Sequence, residues 1–188
     1  HLYRAESRWL RPAHEIRVLL GTPRWVAVGF SLGVVELLSR GDETRTVAHL
    51  GPDLLGEDWD AHVALARLCK APDRKIHEAL MDQRNLAGIG NLYANELCFI
   101  TGVHPSTPVG SVPQLERMLQ RAKSLLESNK GRRTRTTTGH LRHGTQLWVH
   151  EREGQPCQRC GATITRLPIG PAGEERSAYS CPHCQPAP

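Results

Sequence analysis

Apolar positions change their period along the chain. In the first fifty residues they follow a two-residue period: Ile16, Val18 and Leu20 alternate with Arg17 and Leu19. Gly21-Thr22-Pro23-Arg24 is a turn signal, and Trp25–Val28 and Val34–Leu38 read as two further strands. From residue 51 the period becomes helical. Asp58 is a candidate N-cap for a helix carrying Ala61, Ala64, Leu65 and Leu68. Ile76, Ala79 and Leu80 share one face of a short helix; Tyr93, Leu97 and Ile100 share a face of the next. Gly102 suits the end of that helix, and Pro105 blocks its continuation. Ser111-Val112-Pro113-Gln114 fits a capping box, ahead of an amphipathic run with Leu115, Met118, Leu119, Ala122, Leu125 and Leu126. Residues 129–145 lose all periodicity and carry Lys130, Arg132, Arg133, Arg135, His140, Arg142 and His143. This stretch is a solvated loop or one that touches nucleic acid.

Between the second and third helical patterns lies Ala87-Gly88-Ile89-Gly90-Asn91. Gly88 and Gly90 are expected at positive φ in a tight double turn, with Asn91 capping the helix that follows. A helix start after such a turn presents unpaired N–H groups that can hold a phosphate. A plain helical hairpin with a good cap is the alternative reading.

Composition sharpens this picture. The 188 residues carry a net +5, and 39% are apolar, enough for one or two modest cores. Charge is uneven: +2 over residues 1–50, −3 over 51–112 and +6 over 113–188, so an anionic partner is expected at the C-terminal part. No apolar run is long enough to span a membrane. The chain opens at His1 without a methionine, and three short strands make a poor domain alone, so a missing first sheet upstream is expected.

Cys157-x-x-Cys160 is followed after 20 residues by Cys181-x-x-Cys184. This is the spacing of a four-thiolate zinc ribbon, in which each pair forms a knuckle and two knuckles complete a tetrahedron. A closed site of this kind leaves no open position for water, so one structural zinc is expected. Such small, apolar-poor regions draw much of their folding energy from the metal. No secretory signal precedes the cysteines, which favours metal binding over disulfides or redox pairs and implies a reducing compartment. Cys69 and Cys98 fall in helical patterns and are expected as buried thiols. Arg166 and Arg176 stand between the knuckles, expected at or near the tip of a hairpin, where an arginine can reach a phosphate.

Taken together, these segments resemble the formamidopyrimidine-DNA glycosylase / endonuclease VIII family. The matching stretches are Leu80-x-Asp82-Gln83-x₃-Ala87-Gly88-Ile89-Gly90-Asn91-x-Tyr93-x₂-Glu96, Gly102-Val103-His104-Pro105, Val149 to Gly161, and Arg176-Ser177-Ala178-Tyr179-Ser180-Cys181-Pro182-x-Cys184-Gln185. Leu50 to Leu55 is also similar, and the likeness covers most of residues 10–185. It implies an α+β protein with part of a β-sandwich (1–50), a helix–two-turns–helix DNA-binding domain (51–145) and a C-terminal zinc-ribbon hairpin (146–188).

The resemblance implies base-excision repair by a glycosylase with β,δ-elimination lyase activity, acting as a monomer on double-stranded DNA with a damaged base or an abasic site. It implies a cytoplasmic, nucleoid-associated enzyme of bacteria. By resemblance Asn91, with Gly90 before it, holds a DNA phosphate, and Arg176 contacts the phosphate beside the lesion and assists elimination. The family's N-terminal Pro-Glu, which supplies the amine nucleophile, and its later lysine have no counterpart in residues 1–188. These residues alone are therefore expected to be inactive. Gly29-Phe30-Ser31-Leu32-Gly33-Val34-Val35 resembles the endonuclease VIII branch, which favours oxidised pyrimidines. A non-catalytic damaged-DNA-binding protein of the same architecture is the other expectation.

Overall fold

The computed structural model describes residues 1–188 apart from Arg40, Arg133 and the side chains of Glu43 and Thr44. Two compact units divide the chain, His1–Ala48 and His49–Pro188.

In the first unit, β1 (Leu2–Arg4), β2 (Ile16–Gly21) and β3 (Trp25–Phe30) form an antiparallel sheet with β3 central. Thr22 closes the β2–β3 turn: its Oγ1 accepts from the Trp25 N–H at 3.0 Å. The register slips between Ile16 and Val18, a bulge that leaves Arg17 outside the ladder. A single-turn helix, α1 (Glu43–Val47), ends the unit. The strand expected at Val34–Leu38 is not formed, and Leu37 is fully exposed. Both edges of β3 are already occupied by β1 and β2, and β-branched residues make a strand only where a neighbour pairs with them.

The second unit carries α2 (Ala61–Cys69), α3 (Ile76–Met81), α4 (Asn91–Ile100), α5 (Leu115–Asn129) and the hairpin β4 (Thr165–Ile169) and β5 (Arg176–Ser180). Among the described residues no helix is long and apolar enough to cross a membrane. Its main core joins Leu54, Leu68, Ile76, Leu80, Leu97 and Leu119, drawn from all four helices and the segment before them. A second core gathers Val149, Cys157, Ile164 and Cys181 around Phe99 of α4.

Helix starts differ from the sequence expectation in three places. Asp60, not Asp58, caps α2, accepting from His62 N at 2.8 Å and Val63 N at 3.0 Å. No capping box forms at Ser111: Val112 precedes Pro113 and is pushed to an extended ψ of 117°, so the helix is delayed to Leu115. Gly90 is the N-cap of α4 and Asn91 its first residue. Gly88 alone of the turn glycines has positive φ, at 108°, while Gly90 is extended. Gly51 is required for a different reason. A Cβ there would lie 2.5 Å from the Asn85 backbone, where residues 51–54 bond to the turn through Gly51 N to Gln83 O at 2.7 Å and Leu54 N to Ala87 O at 3.1 Å.

Candidate nucleic-acid interface and metal centre

The turn before α4 is held from inside by Gln83. Its Nε2 donates to Ile89 O at 2.6 Å and Met81 O at 3.1 Å, and its Oε1 accepts from Gly88 N at 3.0 Å. Arg74, before α3, pairs at 2.7 Å with Asp82 at the end of that helix. Burial, the largest single influence, pushes the Asp82 carboxyl up, but the hydrogen bonds from Arg74 and the Arg84 amide and the charges of both arginines together outweigh it and hold the group below its usual range.

No side chain caps α4, and a Cβ at exposed Gly90 would meet nothing within 4 Å. The first backbone bond of the helix runs from Ala94 N to Gly90 O, leaving the amides of Asn91, Leu92 and Tyr93 without intrahelical partners beside open space. The Asn91 side chain does not cap. Its Nδ2 donates to Ser177 O on β5 at 3.1 Å. Arg176 is the neighbour of Ser177 and opens β5 opposite Ile169, at the turn end of the hairpin. Its guanidinium is exposed and pairs with no carboxylate among the described residues. The hairpin segment that carries Arg176 is thus brought to the start of α4, where Gly90 and Asn91 lie. Arg166 sits instead toward the base of the hairpin, opposite Tyr179, and pairs with Glu153 at 2.9 Å.

A groove of about 400 Å³ runs between α3 and the hairpin turn, lined by Arg74, His77, Glu78, Asp82, Gly170 and Arg176, among others. His77 is 1% exposed, and its Nε2 is buried without a hydrogen-bond partner. Burial lowers its pKa to about 4; the adjacent Asn91 side chain opposes the shift and His150 adds to it.

Two further residues of α4 have roles that the sequence reading did not assign. Asn95, fully buried, accepts from Tyr179 N at 2.7 Å and donates to Asn91 O at 2.8 Å. Glu96, also fully buried, accepts from the backbone N–H groups of Trp148, Val149 and His150 at 2.8–2.9 Å and from the Thr137 hydroxyl. Their signal in the sequence was an adjacent pair of polar residues inside a mostly apolar helix, whose tertiary partners lie more than forty residues away.

The basic stretch after α5 is irregular but tied down. Asn129 exchanges two bonds with the Thr136 backbone, at 2.8 and 2.9 Å, and Thr138 Oγ1 donates to Thr145 O at 2.7 Å. Lys130, Arg132, Arg135, His140, Arg142 and His143 are exposed, while Arg133 lies outside the described residues.

The sulfurs of Cys157, Cys160, Cys181 and Cys184 all lie within 4.8 Å of one another, a set that could hold a metal ion. The sulfurs of a tetrahedral zinc site stand about 3.8 Å apart, so the cluster fits. Each knuckle turns an amide toward a sulfur: Arg159 N lies 3.4 Å from Cys157 Sγ, and Cys184 N 3.5 Å from Cys181 Sγ. The crowded thiols titrate apart. The Ala162 amide first, then the neighbouring sulfurs, pull Cys160 down to about 6, whereas burial and the same neighbours push Cys184 up to about 12. Cys98 is a buried thiol as expected, with its pKa raised to about 12 by burial. Cys69 is exposed, because α2 turns its last residue away from the core.

Comparison with known proteins bears on this arrangement. Residues 50–138 match the model of the formamidopyrimidine-DNA glycosylase H2TH domain. A DNA-(apurinic or apyrimidinic site) lyase Nei2 of Mycolicibacterium smegmatis is 49% identical over 174 residues, 93% of this chain and 68% of that protein. The chain belongs to the formamidopyrimidine-DNA glycosylase / endonuclease VIII family. An endonuclease 8 2 of Mycobacterium tuberculosis, another similar protein, is 46% identical over 97% of this chain and 72% of its own length. The fold matches that of the Lactococcus lactis glycosylase solved with FAPY-dG containing DNA, with a TM-score of 0.74 at 22% identity over 100% of this chain and 71% of that one. Family membership accounts for the α+β architecture and the helix–two-turns–helix element described above.

Proposed function

We propose that this protein is a bacterial base-excision-repair enzyme, a DNA glycosylase with AP lyase activity, and that His49–Pro188 is its grip on damaged duplex DNA. The observation that carries this reading is the pairing of the open N-terminus of α4 with the hairpin turn, through Asn91 and Ser177. Unpaired helix amides and an unpaired arginine side by side suit adjacent phosphates of one strand. Asn91 with Gly90 takes one phosphate, and Arg176 takes another and steadies the leaving phosphate during β,δ-elimination. Residues 51–145 supply the helical grip and 146–188 the hairpin, with one structural zinc on Cys157, Cys160, Cys181 and Cys184. The likeness to the endonuclease VIII branch favours oxidised pyrimidines as the bases removed. Such an enzyme works as a monomer in the cytoplasm, on the nucleoid.

Binding to an abasic-site duplex, followed by fluorescence anisotropy over a range of salt, tests this. Arg176→Ala should weaken binding and reduce the slope of log K against log salt by about 0.9, the value for one lost phosphate contact. Asn91→Ala should weaken binding with little change in slope, because the side chain is neutral. Wild-type affinity in both variants would refute the assignment.

A further inference from the structure

Two adjacent hollows open where the C-terminal end of α4 meets α5. One, of about 420 Å³, is lined by half-buried Ile100, Leu125 and Trp148 and by exposed Arg121 and Arg159. The other, of about 210 Å³, shares Ile100 and Arg121 and adds Arg117 and Gln114. No carboxylate lines either hollow, and among the described residues Arg117, Arg121 and Arg159 form no ion pair. Arg117 and Arg121 stand four apart on α5, a spacing at which like charges repel and cost helix stability. Two of the guanidiniums are held in place: Arg117 donates to Gln114 Oε1 at 3.1 Å, and Arg159 lies over the Phe99 ring at 4.3 Å. Three cations are thus gathered around an apolar hollow that supplies no counter-charge.

We propose that this double hollow docks an extended acidic peptide segment of a partner protein, with its carboxylates on Arg117, Arg121 and Arg159 and one apolar side chain seated on Ile100, Leu125 and Trp148. Arginine forks take carboxylates in two parallel bonds, and the apolar lining adds a side-chain selectivity that charge alone lacks. Ile100 ends α4, so the hollows lie about 14 Å along that helix from Asn91. A stiff duplex gripped at the helix start does not turn back into a side-chain-sized hollow at the other end. Trp148 is already stacked with Phe99 at 5.3 Å and carries Arg159 at 5.4 Å, which favours a carboxylate on the guanidinium over a nucleobase on the ring. A partner held there leaves the start of α4 open, so the partner and DNA can be bound together.

The test is fluorescence anisotropy on the full chain, with a labelled synthetic peptide in which aspartates flank a single phenylalanine. Saturable binding is expected, weakened about ten-fold by Arg121→Glu and about three-fold by the milder Arg117→Gln. Binding should also weaken when asparagines replace the aspartates or a serine replaces the phenylalanine. Both variants change exposed side chains and should keep the wild-type melting temperature and the wild-type affinity for an abasic-site duplex. The peptide should bind undiminished to Asn91→Ala and to protein saturated with that duplex. No saturable binding up to about 1 mM peptide, equal binding by the wild type and both arginine variants, or equal binding of the asparagine or serine peptide would overturn the proposal. Displacement of the peptide by oligothymidylate, with the same dependence on Arg121, would overturn it and give the hollows to single-stranded nucleic acid. Displacement by the abasic-site duplex would overturn it and make them part of the DNA grip.

Discussion

Asn95 Oδ1 accepts the backbone N–H of Tyr179 at 2.7 Å, so one helical side chain completes the outer edge of a strand 84 residues downstream. A β-hairpin of two strands is marginal by itself, and here the free edge of β5 is bonded to α4. Asn95→Leu fills the same space but leaves the Tyr179 amide unpaired. The expected cost is about 3 kcal/mol in urea unfolding, with the hairpin amides exchanging hydrogen first. Exchange that speeds up equally across α2 and the hairpin would contradict this.

Glu96 next to it holds three consecutive amides of residues 148–150. Glu96→Gln substitutes a donor for one acceptor oxygen, so an N–H faces an N–H. We expect a loss of about 3 kcal/mol with an unchanged denaturant slope. A stability within about 0.5 kcal/mol of wild type would show that the strap is held by its apolar contacts instead.

Elemental analysis of reduced protein should give one zinc per chain, and Cys181→Ser should lower that occupancy. Chelation should release more than the hairpin. Phe99 of α4 is fully buried in the same cluster as Cys157 and Cys181, and Gln185 Nε2 donates to Val103 O at 2.8 Å. Protection from hydrogen exchange should therefore be lost over residues 147–185 and also at the end of α4, while Leu68, Leu80 and Leu119 keep their core. Protection that survives intact at Phe99–Val103 after chelation would show that the two cores are independent.

His77 should make the fold acid-sensitive. Its pKa falls from 6.5 to about 4 on folding, so between those values the unfolded chain binds more protons and stability drops as pH falls. The contribution is fully present above pH 6.5 and is lost progressively as pH falls toward 4, on the order of 3 kcal/mol in all. His77→Phe should flatten this part of the profile; an unchanged slope between pH 6.5 and 4 would place the sensitivity elsewhere.

Parts of this molecule were legible in its sequence for physical reasons. Ligands for one metal must converge in space, so paired cysteines betray a candidate site by spacing, and Cys157, Cys160, Cys181 and Cys184 do cluster. Ile76, Ala79 and Leu80 announced a buried helical face, and all three are buried. The cap of α4 was misplaced by one residue because glycine and asparagine are both good caps, and only the backbone decides between Gly90 and Asn91. Val34–Leu38 has strand composition but no partner, and pairing is a tertiary fact. Gln83 and Glu96 stood in the family pattern without a role, and Asn95 was passed over, because their roles lie in bonds to backbone groups, which leave no mark in the identity of the partner residue.

The adjacent pair Asn95 and Glu96 also sets a timetable for synthesis. Their downstream partners lie 41 to 84 residues further along the chain. At the usual pace of translation, the ribosome needs roughly 2 to 17 seconds to deliver that length. Throughout that interval α4 has left the ribosome with a carboxylate, an amide and the Phe99 ring prepared for a lobe that does not yet exist. The newborn chain is most vulnerable then, and it is at this stage, before any metal can be loaded, that a chaperone would find it.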